Sequence, residues 1–144
     1  MSIFLSEIQK QDDTITTPKA EYAKYENNEF YKTQDASFFH NGFDVGYAQQ
    51  ISGENYNIIN ANNIKKVSDT LVMDSAESLT IDNTTFKGIK KGFFETDDNG
   101  DLKEVHMISK MDNNFFKVDG IEVTMNENET IDMVKNETTG KFDI

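Results

Sequence analysis

The chain has 144 residues and a formal net charge of −12, with 26 acidic residues, 14 basic residues and no cysteine. Every basic residue is a lysine, so the bidentate guanidinium contacts that arginine makes to phosphate are missing. This balance argues against a nucleic-acid binder and against adhesion to an anionic membrane surface. Without cysteine, disulfides, thiolate chemistry and cysteine-ligated zinc are excluded.

No run of about 18 apolar residues occurs, so we expect no membrane-spanning segment. The stretch that begins at Met1 has neither the basic region nor the long apolar run of a cleavable secretory signal. We therefore expect the protein to be cytoplasmic, or to be secreted by a route that leaves no cleavable signal.

Residues 1–36 are expected to form an N-terminal arm that is helical or partly disordered. Thr17 followed by Pro18 has the pattern of a helix N-cap with proline at the first helical position. The pattern predicts a helix from Pro18 to about Thr33, and the alternative is a disordered arm. A single α+β domain should follow over residues 37–135, with a polar tail over 136–144.

The first part of that domain combines a hairpin with a helix. Asn41-Gly42 between two phenylalanines predicts a two-residue hairpin turn. Farther on, apolar positions recur at steps of three and four and predict a helix over residues 64–79. A strand over Thr70–Met73 is the competing interpretation. The residues of the predicted apolar helix face are Ile64, Val67, Leu71, Ser75 and Leu79.

From Leu79 onward the apolar period becomes two, which is typical of strands. Asn99-Gly100 and Asp119-Gly120 are strong hairpin signals between alternating segments. The fold class expected is α+β, an antiparallel β-meander of four to six strands in the C-terminal half packed with one or two helices. No internal repeat is evident, because the two hairpins share turn chemistry and not sequence.

The segment around Asp97, Asn99 and Asp101 is a candidate for calcium, because alternate oxygen ligands are the pattern of a calcium-binding loop. If Glu95 is the first loop position, the twelfth is His106, which cannot supply the bidentate carboxylate. A β-turn explains the same residues with fewer assumptions. We therefore expect no metal and no cofactor.

Catalytic motifs are also missing from the sequence. There is no nucleophile flanked by glycines in an elbow motif and no glycine-rich phosphate loop. Carboxylate pairs are frequent, but 26 acidic residues produce such pairs by chance. We therefore predict no catalytic residues and a protein that is not an enzyme.

The expected function is protein binding. An acidic surface predicted in the C-terminal hairpins would attract a protein partner, in particular a basic one, with no role for nucleic acid. An open sheet edge could also support a homo-oligomer. The residues of the predicted acidic surface are Asp119, Glu122, Glu127, Glu129 and Asp132.

The organisation of the chain resembles that of substrates of flagellar or type III export, which use an unfolded and uncleaved N-terminal segment. The resemblance covers residues 1–36 and implies a secreted effector. The alternative is an intracellular acidic inhibitor that mimics nucleic acid, as some phage proteins do. A third possibility is a carbohydrate binder in which Tyr47 and Tyr56 stack on sugars, although aromatic residues at strand spacing usually pack inward.

Overall fold

The computed structural model describes residues 2–5, 9–11, 13–81, 84–109, 115–118, 121–124, 130–135, 138 and 142–143. Side chains are described for residues 13–81, 85–107 and 138. Throughout these ranges the regular structure is β-strand, and no helix occurs in them.

The strands pair antiparallel along the chain. The described part of the chain has one sheet of 12 strands and one of two strands, β11 with β12. The order in the large sheet is β1-β3-β4-β5-β6-β7-β9-β10-β13-β14, with β2 beside β3 and β8 between β6 and β9. The strands are β1 Ser2–Leu5, β2 Gln9–Gln11, β3 Thr14–Tyr25, β4 Asn28–Phe39, β5 Gly42–Ser52, β6 Tyr56–Val67, β7 Thr70–Met73, β8 Ala76–Ile81, β9 Thr84–Thr96, β10 Leu102–Ser109, β11 Phe115–Val118, β12 Ile121–Thr124, β13 Thr130–Lys135 and β14 Phe142–Asp143.

The α+β prediction is wrong, because both predicted helices are strands. The segment from Pro18 to Thr33 lies in β3 and β4, and the segment over 64–79 covers the end of β6, β7 and the start of β8. The sheet also runs without interruption across the boundary expected between an arm over 1–36 and a domain over 37–135. In the C-terminal half, Phe115–Val118 and Ile121–Thr124 are strands as predicted, whereas most of β8 was predicted as helix, β9 as two segments and β14 as part of a polar tail.

The long strands are bent until their ends meet. Tyr25 pairs with Asn28 at the start of β4, yet its hydroxyl donates a hydrogen bond of 2.7 Å to the carbonyl oxygen of Phe39 at the far end of β4. In a straight strand Asn28 and Phe39 would lie roughly 36 Å apart. The sheet therefore curls around an interior instead of lying flat.

The bends lie at two rows of residues that run across the strands. Lys32 and Asp35 on β4, and Asn60 and Asn63 on β6, have φ angles between 50° and 52°. This left-handed backbone is uncommon for residues other than glycine and changes the direction of the strand. Pairing resumes beyond each bend in an unchanged register. The first corner contains Glu21, Lys32, Gln49, Asn60 and Glu77, and the second corner contains Pro18, Asp35, Gly46, Asn63 and Asp74.

The two corners divide the sheet into three faces around one apolar core. The first face comprises residues 22–25, 28–31, 50–52, 56–59, 78–81 and 84–87. The second face comprises residues 19–20, 33–34, 47–48 and 61–62. The third face comprises residues 15–17, 36–39, 42–45, 64–67, 70–73, 92–95 and 104–107.

A unit of 28 residues repeats three times in this arrangement, over residues 15–42, 43–70 and 71–98. Each unit wraps once in each direction around the core, and seven positions whose side chains are described are buried in all three units. The prediction that the chain has no internal repeat is therefore wrong. The equivalent buried residues are Thr17, Val45 and Met73; Ala20, Ala48 and Ala76; Ala23, Ile51 and Leu79; Phe30, Ile58 and Phe86; Thr33, Ala61 and Ile89; Ala36, Ile64 and Gly92; and Phe38, Lys66 and Phe94.

Where the first and third faces meet, the hairpin turns form a seam held by polar contacts. Asn27 Nδ2 donates to the carbonyl oxygen of Asn99 at 2.8 Å, and the Glu54 amide donates to Asp101 Oδ1 at 3.0 Å. Gly42 also lies on the seam and donates its amide to the Tyr25 hydroxyl at 3.0 Å. A Cβ atom on Gly42 would overlap the backbone carbonyl of Lys66, so the close approach requires glycine.

Among the residues that the structure describes, no helix is long and apolar enough to cross a membrane.

Candidate functional site

An apolar site lies on the outer surface of the third face, where three strands present one continuous row. Val72 on β7 pairs with Phe93 on β9, and Phe93 pairs with His106 on β10. The Phe93 side chain is 43% exposed, although it is large and apolar. Its ring lies 6.0 Å from the His106 ring, measured between centroids. We call this site the Phe93 pocket.

The pocket lies among outward side chains of β7, β9 and β10, whereas Gly92 on its lining occupies the inner side of β9, at the position of the buried residues Ala36 and Ile64. Gly92 pairs with Met73 on one side and Met107 on the other, and a Cβ atom at Gly92 would come within 2.5 Å of the Phe94 ring. The cavity on the outer side has a volume of about 360 Å³. It is lined by Val72, Met73, Asp74, Lys91, Gly92, Phe93, His106 and Met107.

Acidic groups predominate beside this pocket. Asp74 lines it directly, and Glu95 pairs with Glu104 in the neighbouring outer row of the same face. Glu104 Oε2 lies 3.7 Å from His106 Nε2. Two lysines accompany these three acidic residues, Lys91 on the lining and Lys65, which pairs with Val72 in the same outer row. An apolar floor with an acidic surround would accept an apolar side chain that is accompanied by cationic groups.

A smaller polar cavity of about 190 Å³ lies on the seam, around the buried side chain of Lys66. The Lys66 ammonium faces Glu26 Oε2 at 3.9 Å, and the Lys66 side chain is 7% exposed. Equivalent positions in the other two units are Phe38 and Phe94, so an ion pair replaces an apolar contact here. We interpret this ion pair as a structural contact that holds the seam together.

The buried Tyr56 is a second unusual polar group near the seam. Its hydroxyl donates to Asn28 Oδ1, and the Nδ2 atom of Asn28 has no hydrogen-bond partner. Burial raises the pKa of the Tyr56 phenol well above its ordinary value, and the charge of Asp101 acts in the same direction. The phenol is therefore a fixed hydrogen-bond donor and unsuited to proton transfer near neutral pH.

The predicted acidic surface falls mainly outside the described residues. Asp119, Glu127 and Glu129 lie outside them. Glu122 lies in β12 and Asp132 in β13, where Asp132 pairs with His106, but their side chains are not among those described. Whether the five residues form one surface thus stays a prediction.

The segment proposed for calcium is a turn stabilised by its own side chains. Asp97 Oδ1 accepts hydrogen bonds from the amides of Asn99 at 2.9 Å and Asp101 at 3.1 Å, while Asp101 Oδ1 accepts from the Glu54 amide. These carboxylate oxygens accept hydrogen bonds from backbone amides and are not arranged around a common metal position. Among residues with described side chains, no group of three or more histidine, aspartate or glutamate residues is arranged to hold a metal.

Sequence reasoning did not find the Phe93 pocket. The adjacent pair Phe93-Phe94 was the available signal, because two neighbouring residues of a strand point to opposite sides of the sheet and one of the two rings must face outward. The tyrosines proposed to stack on sugars behave differently from each other: Tyr56 is buried at 4% exposure, whereas Tyr47 is half-buried and donates to Asn60 Oδ1 at 2.7 Å.

Comparison with known proteins gives no family for the chain. No protein-family model matches it, and neither a curated protein nor a solved structure shows a significant match.

Proposed function

We propose that this chain is a non-enzymatic binding protein that holds a basic protein partner against the Phe93 pocket. The observation that carries the proposal is the exposed Phe93 ring beside an apolar cavity, on a chain with a net charge of −12. Aromatic residues, including phenylalanine, are enriched at protein interfaces, and a few central residues of an interface dominate the binding energy. The acidic balance would speed encounter with a cationic partner.

The chemistry of the partner follows from the lining. Val72 and the Phe93 ring offer apolar contact to an aliphatic or aromatic side chain, whereas Met73 and Met107 belong to the buried core behind them. Asp74 at the pocket, with Glu95 and Glu104 in the adjacent row, favours lysine or arginine on either side of that apolar side chain. The partner segment is thus an apolar anchor flanked by cations.

A peptide array tests this proposal without knowledge of the natural partner. The array holds synthetic peptides with identical apolar anchors, flanked in one set by Lys and Arg and in the other by Asp and Glu. We expect binding to the cationic set, weakening as salt is added. Phe93→Ser should lower affinity by about thirtyfold or more, the loss typical of a dominant interface residue.

Val67→Ser is the matched control, because Val67 is 51% exposed on the same face and does not line the pocket. This variant should bind as the parent chain does. Equal binding by the Phe93→Ser variant would contradict the proposal, and so would binding to neither peptide set. If the chain instead bound nucleic-acid-binding proteins, and did so equally well with Phe93→Ser, the alternative function of an acidic inhibitor that mimics nucleic acid would be favoured.

Export without a cleaved signal stays a prediction. It relied on a loosely structured arm over residues 1–36, yet residues 14–25 and 28–39 are β3 and β4 of the large sheet. Fractionation of the producing cells, with mass analysis of the N-terminus, tests it. Untrimmed protein in the medium would support export, and protein confined to the cell would count against it.

Self-association through a sheet edge also stays a prediction. β1 with β2 stands at one end of the strand order and β14 at the other. Sedimentation over a range of protein concentrations would detect it as a rise in mass, and a constant monomer mass would remove it.

A further inference from the structure

A second cavity lies along the first corner, away from the Phe93 pocket. It has a volume of about 580 Å³, which is within the range of about 300–1,000 Å³ usual for small-molecule sites. β3, β4, β5, β6 and β8 each contribute to its lining, so the cavity runs across the strands and not along one of them. We call it the corner groove.

One part of the groove is apolar and fixed in place. Ile59 and the ring of Tyr31 line it together. Tyr31 packs edge to face against Tyr22, with ring centroids 5.3 Å apart. Both hydroxyls donate to the Glu29 carboxylate, at 2.9 Å from Tyr22 and 3.2 Å from Tyr31. The ring of Tyr31 is thereby held in one orientation before any ligand arrives.

The remaining lining consists of Lys32 and of amides and carboxylates, of which Gln50, Asn60 and Glu77 are held by hydrogen bonds. Asn60 Oδ1 accepts from the Tyr47 hydroxyl, and Asn60 Nδ2 donates to Glu77 Oε2 at 2.7 Å. Gln50 Nε2 donates to Asn57 Oδ1 at 2.9 Å. Each of these groups retains unused capacity, because an amide nitrogen has two protons and each side-chain oxygen has two lone pairs. The groove thus offers fixed donors and acceptors beside an aromatic ring.

This combination selects against other ligand classes. A phosphorylated ligand would meet Glu21 and Glu77 with Lys32 as the cation on the lining, so the local charge opposes it. A purely apolar ligand would leave the amides and carboxylates unsatisfied. An extended peptide would seek the backbone of a sheet edge, which a groove that crosses the strands does not present.

We propose that the corner groove binds a linear, neutral oligosaccharide that lies across the strands. Vicinal hydroxyls both donate and accept, which matches paired amide and carboxylate groups, and the less polar side of a sugar ring can rest on Tyr31. Neighbouring strands lie about 4.8 Å apart, close to the length of one pyranose unit in an extended glycan. One sugar unit would therefore correspond to about one strand.

Titration with a defined set of glycans, followed by NMR of the labelled full-length chain, tests the proposal. The set contains cellotetraose, xylotetraose, maltotetraose and chitotetraose. We expect at least one to shift resonances of the corner groove and to leave the Phe93 pocket unchanged. Tyr31→Ala should lower affinity by about tenfold or more, the loss expected for a well-placed aromatic contact.

Because Tyr31 is half-buried, a second variant guards against loss of fold. Gln49→Ala changes an exposed residue of the groove and should weaken binding by about threefold to tenfold with an unchanged spectrum elsewhere. Phe93→Ser is the control and should bind glycans normally. The proposal is overturned if no glycan shifts the groove at millimolar concentration, or if both groove variants bind as the parent does. Peptide binding at Phe93 is unaffected by either outcome.

Discussion

The inner and outer sides of the same strands follow different rules. Most inward positions stay apolar from unit to unit, as Phe30, Ile58 and Phe86 show, whereas their outward neighbours Tyr31, Ile59 and Lys87 include a polar aromatic, an aliphatic and a cationic side chain. The interior must fill one continuous core, so each unit is constrained by the next. The outer surface carries no such constraint, and this is where both proposed binding sites lie.

The largest effect should come from an inner aromatic residue compared with an outer one. Phe30 is fully buried, with its ring 4.9 Å from that of Phe43 and 5.4 Å from that of Phe38. Phe30→Ala should lower the free energy of unfolding by about 3–5 kcal/mol, measured by denaturant titration. Phe93→Ala, on the outer side, should lower it by less than about 1 kcal/mol. Similar losses for both variants would break the distinction between the two sides.

The seam should be less costly to disturb than the core. Tyr56→Phe removes the hydrogen bond to Asn28 Oδ1 and leaves the buried Asn28 amide without any partner. The free energy of unfolding should fall by about 1–3 kcal/mol in the same titration. A variant as stable as the parent would mean that this buried hydrogen bond does not contribute to the free energy of unfolding.

Tyr56 should also make stability depend on alkaline pH. Burial raises its pKa in the folded chain above the unfolded value of 10.0. Above pH 10 the unfolded chain loses this proton while the folded chain keeps it, so the free energy of unfolding falls as pH rises. The slope due to this group should be about 1.4 kcal/mol per pH unit. Tyr56→Phe is the control, and its unfolding curve should lack that part of the slope.

The smallest effect, and a stabilising one, is expected at an inner position that departs from the repeat. Thr33 Oγ1 is buried without a hydrogen-bond partner, whereas the equivalent residues are Ala61 and Ile89. Thr33→Val removes the unsatisfied hydroxyl at nearly constant volume and should raise the free energy of unfolding by about 1 kcal/mol. A loss of stability would show that the hydroxyl has a favourable role in the core.

Part of the fold could be predicted from sequence, and the errors have a physical cause. Strands with a simple period of two, such as Phe115–Val118, were recognised. In β6 the buried residues are Tyr56, Ile58, Ala61, Ile64 and Lys66, at steps of two, three, three and two. Each step of three spans a corner, where the left-handed residue faces outward. The wrong helix over 64–79 had a different origin, because its predicted apolar face included Val67, which is 51% exposed, and Ser75, which is only half-buried.

The predicted turns also show what local chemistry can and cannot specify. Asn41 has a φ angle of 62° in the turn before Gly42, but the two turn residues are His40 and Asn41, one position earlier than predicted. Pro18, read as a helix start, lies in a corner row where strand pairing is interrupted, so its missing N–H is harmless. Neither binding site could be predicted, because each combines residues from three or more strands whose contact depends on the bends.

The wrapping of the sheet around one core is tested most directly by NOE contacts between the ring of Tyr25 and the rings of Phe38 and Phe43. Their centroids lie 5.9 Å and 6.0 Å from that of Tyr25. In a flat sheet with the same strand pairing, Tyr25 and Phe38 would lie roughly 33 Å apart. We expect clear cross-peaks for both pairs. Their absence, with the cross-strand contacts between β3 and β4 intact, would contradict the closed three-faced architecture.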